Sequence, residues 1–498
     1  MKIAIAYPPL NAKKGAPLLS QNRQFQYFKE PTYIYPVVPA QAATLLKKAG
    51  HEVFWIDGIA EGISYEDFLK RVIDIKPDVI AMETKTPVVK QHWKIINDLK
   101  KLCTIKYNLL IILFGDHVTA LPQESFDNSK VDFVLTGGDH DFLLLSLCNS
   151  INHELSTINY ASLEPGIWYR DNGVVKNTGA FKLDHDLNSI PFIDRDLAKW
   201  QLYAFKNGNF KRTPGTYIMS GRDCWWGKCK FCSWPTLYPR FRSRRSENVV
   251  NEIGSLVERY GVSEIMDDTG TFPIGDWLDD FCSIMMHRGL NKKVAIDCNM
   301  RFGALSLAEY KKMRQAGFRL VLFGLESANQ KTLDRIDKNL KVEDIIGSCR
   351  AAREAGLYPH ITIMFGYPWE TYDEALNTLK LGRWLLKKGF AYTVQATVVI
   401  PYPGSKLFEE CRKDGTLGTL NWDDYDMKQP VMKSPINDAQ MMGLVRGIYN
   451  VAFNPEFIFN RLRSVRDMSD LAYFGRGTKK ILGHIFDFEH HNVSRRRI

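Results

Sequence analysis

A chain of 498 residues, 45% hydrophobic and 24% charged, is long enough for two or three domains with real cores, which excludes a disordered or fibrous protein. Its formal net charge of +10, from 66 basic and 56 acidic residues, is too diffuse for a nucleic-acid binder, which concentrates charge in a stripe. Nine cysteines are too sparse, and odd in number, for a disulfide scaffold, so a reducing cytoplasm is expected.

The dense basic runs are short: Arg240-Phe241-Arg242-Ser243-Arg244-Arg245, and Arg495-Arg496-Arg497. The opening MKIAIAYPPL meets prolines too soon for a signal-peptide core, and no run of 18 apolar residues suggests a membrane span. Residues 2–7 read as a strand, 39–49 as a helix stopped by Gly50, and 52–57, 78–83, 109–114 and 131–136 as strands. Helices over 64–76 and 91–103 alternate with them. This rhythm predicts a Rossmann-like, mostly parallel α/β sheet over residues 1–150. Such sheets bind ligands beyond the C-terminal ends of their strands. Three loops fall there: Tyr7-Pro8-Pro9, Gly115-Asp116-His117-Val118-Thr119, and Gly137-Gly138-Asp139-His140. They are read either as tight turns or as a ligand edge where glycine admits close approach. No GxGxxG is present, so a dinucleotide is not indicated. Residues 151–213 read as an irregular linker.

A strand near 215–220 leads into Cys224-Trp225-Trp226-Gly227-Lys228-Cys229-Lys230-Phe231-Cys232. Three thiolates at C-x4-C-x2-C suit three corners of a [4Fe–4S] cluster and leave one iron open. Zinc is the rival, but structural zinc takes four protein ligands and no histidine stands close in sequence. Cys103, Cys148, Cys282, Cys298, Cys349 and Cys411 are scattered and read as small buried hydrophobes. Five further βα units follow, giving six strands in all and a partial (β/α)6 barrel over 214–410. Asp267, Asp268, Arg301, Glu326, Ser327, Gly366 and Glu370 fall at strand ends, where such barrels carry their sites.

Taken together these segments resemble the radical S-adenosylmethionine (SAM) superfamily, in its branch with a cobalamin-binding domain. Gly324-Leu325-Glu326-Ser327 resembles the ribose-contacting segment of that family. Gly366-Tyr367-Pro368-Trp369-Glu370-Thr371 resembles its GxPxET-like segment, and Tyr402-Pro403-Gly404-Ser405 the tail of its sixth strand. The stretch Phe114 to Pro122 resembles the loop that passes near the corrin, and the likeness covers roughly residues 1–410. Two departures stand out. The commonest family spacing is C-x3-C-x2-C, and the D-x-H-x-x-G run that gives cobalt a lower histidine is absent, so His117 is not expected to ligate cobalt.

The resemblance implies a [4Fe–4S] cluster on Cys224, Cys229 and Cys232, with SAM on the open iron. It implies Asp268 and Arg301 as contacts to methionine or substrate, Glu326 and Ser327 as contacts to ribose, and Gly366 at the same rim. It implies cobalamin beside Pro8, Gly115, His117, Val118, Thr119, Gly137 and Gly138. The implied activity is C-methylation of an unactivated carbon through a 5′-deoxyadenosyl radical, fed by an electron donor such as flavodoxin or ferredoxin. A cyclisation, rearrangement or C–C bond formation without methyl transfer is the alternative within the superfamily, and an iron–sulfur electron carrier or sensor the alternative outside it. Residues 411–498 are read as a mainly helical cap, with Arg461, Arg463 and Arg466 among aromatics suiting a large small-molecule or lipid-like substrate, partly apolar or anionic.

Overall fold

The computed structural model describes residues 1–10, 12–18, 27–29, 31–103, 108–151, 158–205, 207–208, 210–465 and 468–487. Arg466 and Arg495 to Arg497 lie outside the described residues.

The apolar runs of the first domain become β1 (Lys2–Tyr7), β2 (Glu52–Asp57), β3 (Val79–Glu83), β4 (Leu110–Phe114) and β5 (Phe133–Leu135). They are parallel, and β3, β4 and β5 are buried at every position because helices cover both faces. The stretch 151–213, expected to be a linker, carries β6 (Ile167–Asp171) and β7 (Val174–Asn177). These add antiparallel to β5 and complete a seven-stranded sheet of order β2-β1-β3-β4-β5-β6-β7. The hairpin was hard to read because it lies at the sheet edge and keeps little apolar patterning; Val174 is 58% exposed.

The second sheet is β8 (Gly215–Ile218), β9 (Glu264–Asp267), β10 (Ala295–Met300), β11 (Phe318–Glu326), β12 (Tyr358–Phe365) and β13 (Thr393–Val398). Its six strands are parallel and stand in chain order, as an open half-barrel. Alternate side chains of one strand share a face. Leu320, Leu322, Gly324 and Glu326 of β11 therefore point into the barrel, as do His360, Thr362 and Met364 of β12.

After the helix Lys406–Lys413 the chain returns to the first domain before the last helices, Asp438–Tyr449, Pro455–Leu462 and Met468–Asp487. Trp422 donates to Glu124 at 3.1 Å and Lys14 pairs with Asp426 at 2.5 Å. The helical cap expected over 411–498 therefore opens with a mostly irregular strap, holding one short 3-10 turn at Trp422–Asp424, that ties the barrel to the first domain. No described helix is long and apolar enough to cross a membrane.

Candidate active site

Cys224, Cys229 and Cys232 line one wall of a cavity of about 680 Å³ that runs through the barrel. The cysteine loop follows β8 and is held from several sides. Trp225 donates to the Phe272 carbonyl at 3.2 Å and Trp226 to the Asp337 carbonyl at 2.8 Å. The Lys230 amide donates to the Ile336 carbonyl, and its own carbonyl accepts from Leu407. A Cβ at Gly270 would come within 2.7 Å of the Cys224 nitrogen, so glycine there lets the loop after β9 press against the cysteine loop. Among the described residues no three His, Cys, Asp or Glu side chains converge as they would on a single ion. A four-iron cube does not require such convergence, since it takes its thiolates at separate corners.

Two cations share this wall. The Arg301 guanidinium lies 4.5 Å from the Trp226 ring centroid and donates to the Lys338 carbonyl at 2.7 Å. The Lys338 ammonium donates to Glu326 at 2.9 Å. Burial pushes the Cys229 thiol up, and Lys338 and Arg301 pull it back toward the thiolate. Glu326 closes β11 at φ +61°, and a Cβ on Gly324 would collide with its carboxylate and with Lys338. Gly324 thus makes room for the ion pair.

Of the rim residues expected from sequence, Asp268, Arg301 and Glu326 line the cavity beside the cysteines. Ser327 and Gly366 do not. The Ser327 hydroxyl donates to buried Glu370 at 2.6 Å and accepts from the Asn329 amide. At Gly366, φ is +101° and a Cβ would meet the Met441 methyl at 2.8 Å, so the glycine seats the helix Asp438–Tyr449. Lys338, Asn299, Thr271 and Gln395 also line the cavity and were missed. Lys338 carried no signal, because it sits in a turn outside any motif.

The first-domain residues expected beside cobalamin pack closely among themselves and against their neighbours. Pro8 is buried after β1 and Val118 is in the core. Both His117 ring nitrogens are engaged, with Thr86 at 3.2 Å and Glu124 at 3.0 Å, and its ring meets Trp422 edge-on. Thr119 donates to the Gly115 carbonyl and accepts from the Gly137 amide, tying two loops together. The spaces beside the glycines are already filled, by the Thr84 carbonyl at Gly115, Phe181 at Gly137 and the Tyr238 ring at Gly138. The gap left between Lys85, Gly115 and Asp116 and the helix Trp234–Leu237 is only about 10 Å³. The first domain reaches the large cavity elsewhere, through Leu18, Phe28, Thr32 and Ile34.

A buried ionic cluster fixes the cysteine loop to the first domain. Arg222, two residues before Cys224, donates to Asp139 at 2.6 Å and to both oxygens of Asp141 at 2.9 and 2.5 Å. Arg242 donates to Asp139 as well, and His185 bridges Asp139 and Glu164, each at 2.9 Å. Burial pulls the His185 imidazole down, but the two carboxylates prevail and hold it at about 9.

Residues 218–382 match the family model described as the radical SAM superfamily. The matched stretch runs from the end of β8, through the cysteine loop, to beyond β12. The chain is 28% identical over 435 residues to an uncharacterised methyltransferase of Pyrococcus horikoshii, covering 83% of the chain and 86% of that protein. It is 26% identical over 407 residues to the anaerobic magnesium-protoporphyrin IX monomethyl ester cyclase of Cereibacter sphaeroides, covering 79% of the chain and 63% of the cyclase. Its fold is that of the radical SAM methyltransferase TsrM from Kitasatospora setae, solved with cobalamin and a [4Fe–4S] cluster bound. There the TM-score is 0.68 at 13% identity, over 97% of this chain and 98% of that one.

Proposed function

We propose that this radical SAM protein is a cobalamin-dependent C-methyltransferase acting on an unactivated carbon. The observation that carries the reading is that one cavity brings together the three cysteines, the Arg301 and Lys338 cations, Glu326, and an apolar wall from the first domain. An electron carrier needs no such chamber. Cys224, Cys229 and Cys232 would hold three irons. Leu18, Phe28, Thr32 and Ile34 of the first domain would lie against the corrin. When bound, the cluster supplies the electron that splits SAM into methionine and a 5′-deoxyadenosyl radical, and cobalamin supplies methyl-carrying capacity. The chain's own residues orient and shield. Arg301 and Lys338 would offset the negative charge of a thiolate-bound cluster, and Asp268 would meet the methionine amine. Trp225, Trp226 and Phe231 exclude water from the cysteine loop. Glu326 is the proposed acceptor for the ribose hydroxyls, with Lys338 holding its carboxylate in place. An external donor of the flavodoxin or ferredoxin type would supply the electron.

The test is retention of roughly one equivalent of hydroxocobalamin through gel filtration, with a Co(II) paramagnetic resonance spectrum free of axial nitrogen splitting. His117→Ala should leave that splitting pattern unchanged. Turnover should give S-adenosylhomocysteine and 5′-deoxyadenosine together. Loss of all cobalamin would overturn the reading. 5′-Deoxyadenosine alone would favour a non-methylating bond-forming reaction, a reading that the likeness to the cyclase supports.

Glu326→Ala is expected to weaken SAM binding roughly ten- to a hundredfold by calorimetry, since a lost charge-assisted hydrogen bond is worth about 1.5–3 kcal/mol. Binding equal to wild type would reject the ribose role.

A further inference from the structure

The cavity that begins at the cysteines ends on a buried cation. Arg461, on the helix Pro455–Leu462, is 8% exposed and lines the cavity. Its guanidinium lies 3.7 Å from the ring centroid of Tyr392 and 4.7 Å from that of Phe457. Among the described residues no carboxylate pairs with it, because those on neighbouring elements are already taken. Glu264 and Asp297 are held by Arg319, Asp470 by Lys211 and Glu456 by Lys388. Burial lowers the Arg461 guanidinium to about 10, which still leaves it charged at neutral pH. Removing an unpaired charge from water is costly, and stacking on aromatic rings offsets only part of that cost.

Tyr392 immediately precedes β13, at the end of the barrel remote from the cysteines. Between the two ends the wall is mixed but more apolar than polar: Met266, Leu320, Leu322, Met364 and Val394 line it, with Asn299, Thr362 and Gln395 among them. The strand run from Leu320 to Glu326 spans on the order of 20 Å, which sets the length of this passage. Near Arg461 the cavity is bordered by Phe453, 61% exposed, and Ile458, 37% exposed, so its outer rim there is apolar too.

We propose that the substrate is an amphiphilic anion whose carboxylate or phosphate pairs with Arg461 and whose apolar body lies along the barrel toward the cysteines. A planar guanidinium with no protein counter-ion is matched to either oxyanion. The apolar passage selects for what the anion is attached to. The proposal rests on the catalytic reading above only in placing the reacting carbon at the cysteine end.

The test is calorimetric binding to the full-length, cluster-reconstituted protein of decanoate, decyl phosphate, decanol and decyltrimethylammonium below their micelle concentrations. At least one of the two anions should bind roughly tenfold or more tighter than decanol, and the cation least well. The stronger of the two identifies the carboxylate or the phosphate. Arg461→Gln should erase the preference for the anion while leaving decanol binding unchanged, and Arg461→Lys should keep part of it. Arg463→Gln, on the exposed end of the same helix, should leave the preference intact. Decanol binding as tightly as both anions on the wild type would overturn the proposal without recourse to any variant, and so would a preference that survives Arg461→Gln. Reductive cleavage of SAM by the wild type is scored separately: a protein that shows the anion preference yet cleaves no SAM would fail the catalytic reading alone.

Discussion

Anaerobically reconstituted Cys229→Ala is expected to form no 5′-deoxyadenosine, and Cys224→Ala and Cys232→Ala to be equally dead. The wild type should hold about four irons and four sulfides per chain. Three thiolates at three corners are the fewest that leave a single iron open for SAM, so removing any one exposes a second iron to solvent and degrades the cube. The surroundings add to this. Cys229 is buried enough that its thiol is pushed up, and only Lys338 and Arg301 favour the thiolate. An alanine there removes the thiolate that these two cations favour. The control is chemical as well as positional. Cys282 and Cys349 are buried in the barrel helices, and burial raises each thiol to about 12. Cys282→Ala or Cys349→Ala should cost stability through lost packing but leave iron per chain unchanged. Full 5′-deoxyadenosine formation in any of the three loop variants would sink the cluster assignment.

The elements that sequence revealed are those whose pattern is local. Alternating apolar strands and amphipathic helices announce both sheets, because burial on two faces leaves a continuous hydrophobic run, as in Leu110 to Phe114. The cysteine loop is legible for the same reason, since its three ligands lie within nine residues. What stayed hidden depends on long-range packing. The neighbours of the glycines at 115, 137 and 138 are Thr84, Phe181 and Tyr238, and two of those three come from beyond the first 150 residues. Ser327 shares a motif with Glu326, but the strand turns at Glu326 and sends the hydroxyl to Glu370 instead of the cavity. Lys338 reaches the cavity from a turn, and no spacing rule connects it to the cysteines; Arg461 reads from sequence, with Arg463, as suiting the substrate, but only the packing of the late helix brings it alone of the two to the cavity. Arg222 is two residues from Cys224, yet its significance needs Asp139 and Asp141, some eighty residues earlier.

Arg222→Met is expected to lower the stability of the folded chain by on the order of 3–5 kcal/mol, the range for removing one partner of a buried ion pair. The guanidinium is 2% exposed and Asp141 fully buried, so the loss strands a carboxylate that water cannot reach. Burial already pushes the Asp141 carboxyl up, and Arg222 is the cation that opposes the shift. Asp139 is better protected, since Arg242 and His185 remain to hold it. The damage should therefore centre on Asp141, which lies in the helix His140–Ser150 of the first domain. Because Arg222 leads directly into Cys224, the same change should loosen the cysteine loop and lower iron retention after reconstitution. Two readouts separate positioning from simple destabilisation. The double variant Arg222→Met with Asp141→Leu replaces the pair by apolar groups and should recover much of the lost stability, because no carboxylate is left stranded. It should recover less of the iron, because the bidentate contact that sets the height of the loop is still missing. Denaturation midpoints and iron content measured on wild type, single and double variants decide the matter. A single variant as stable as wild type with full iron would show that the cluster of charges neither holds the domains nor positions the cysteines.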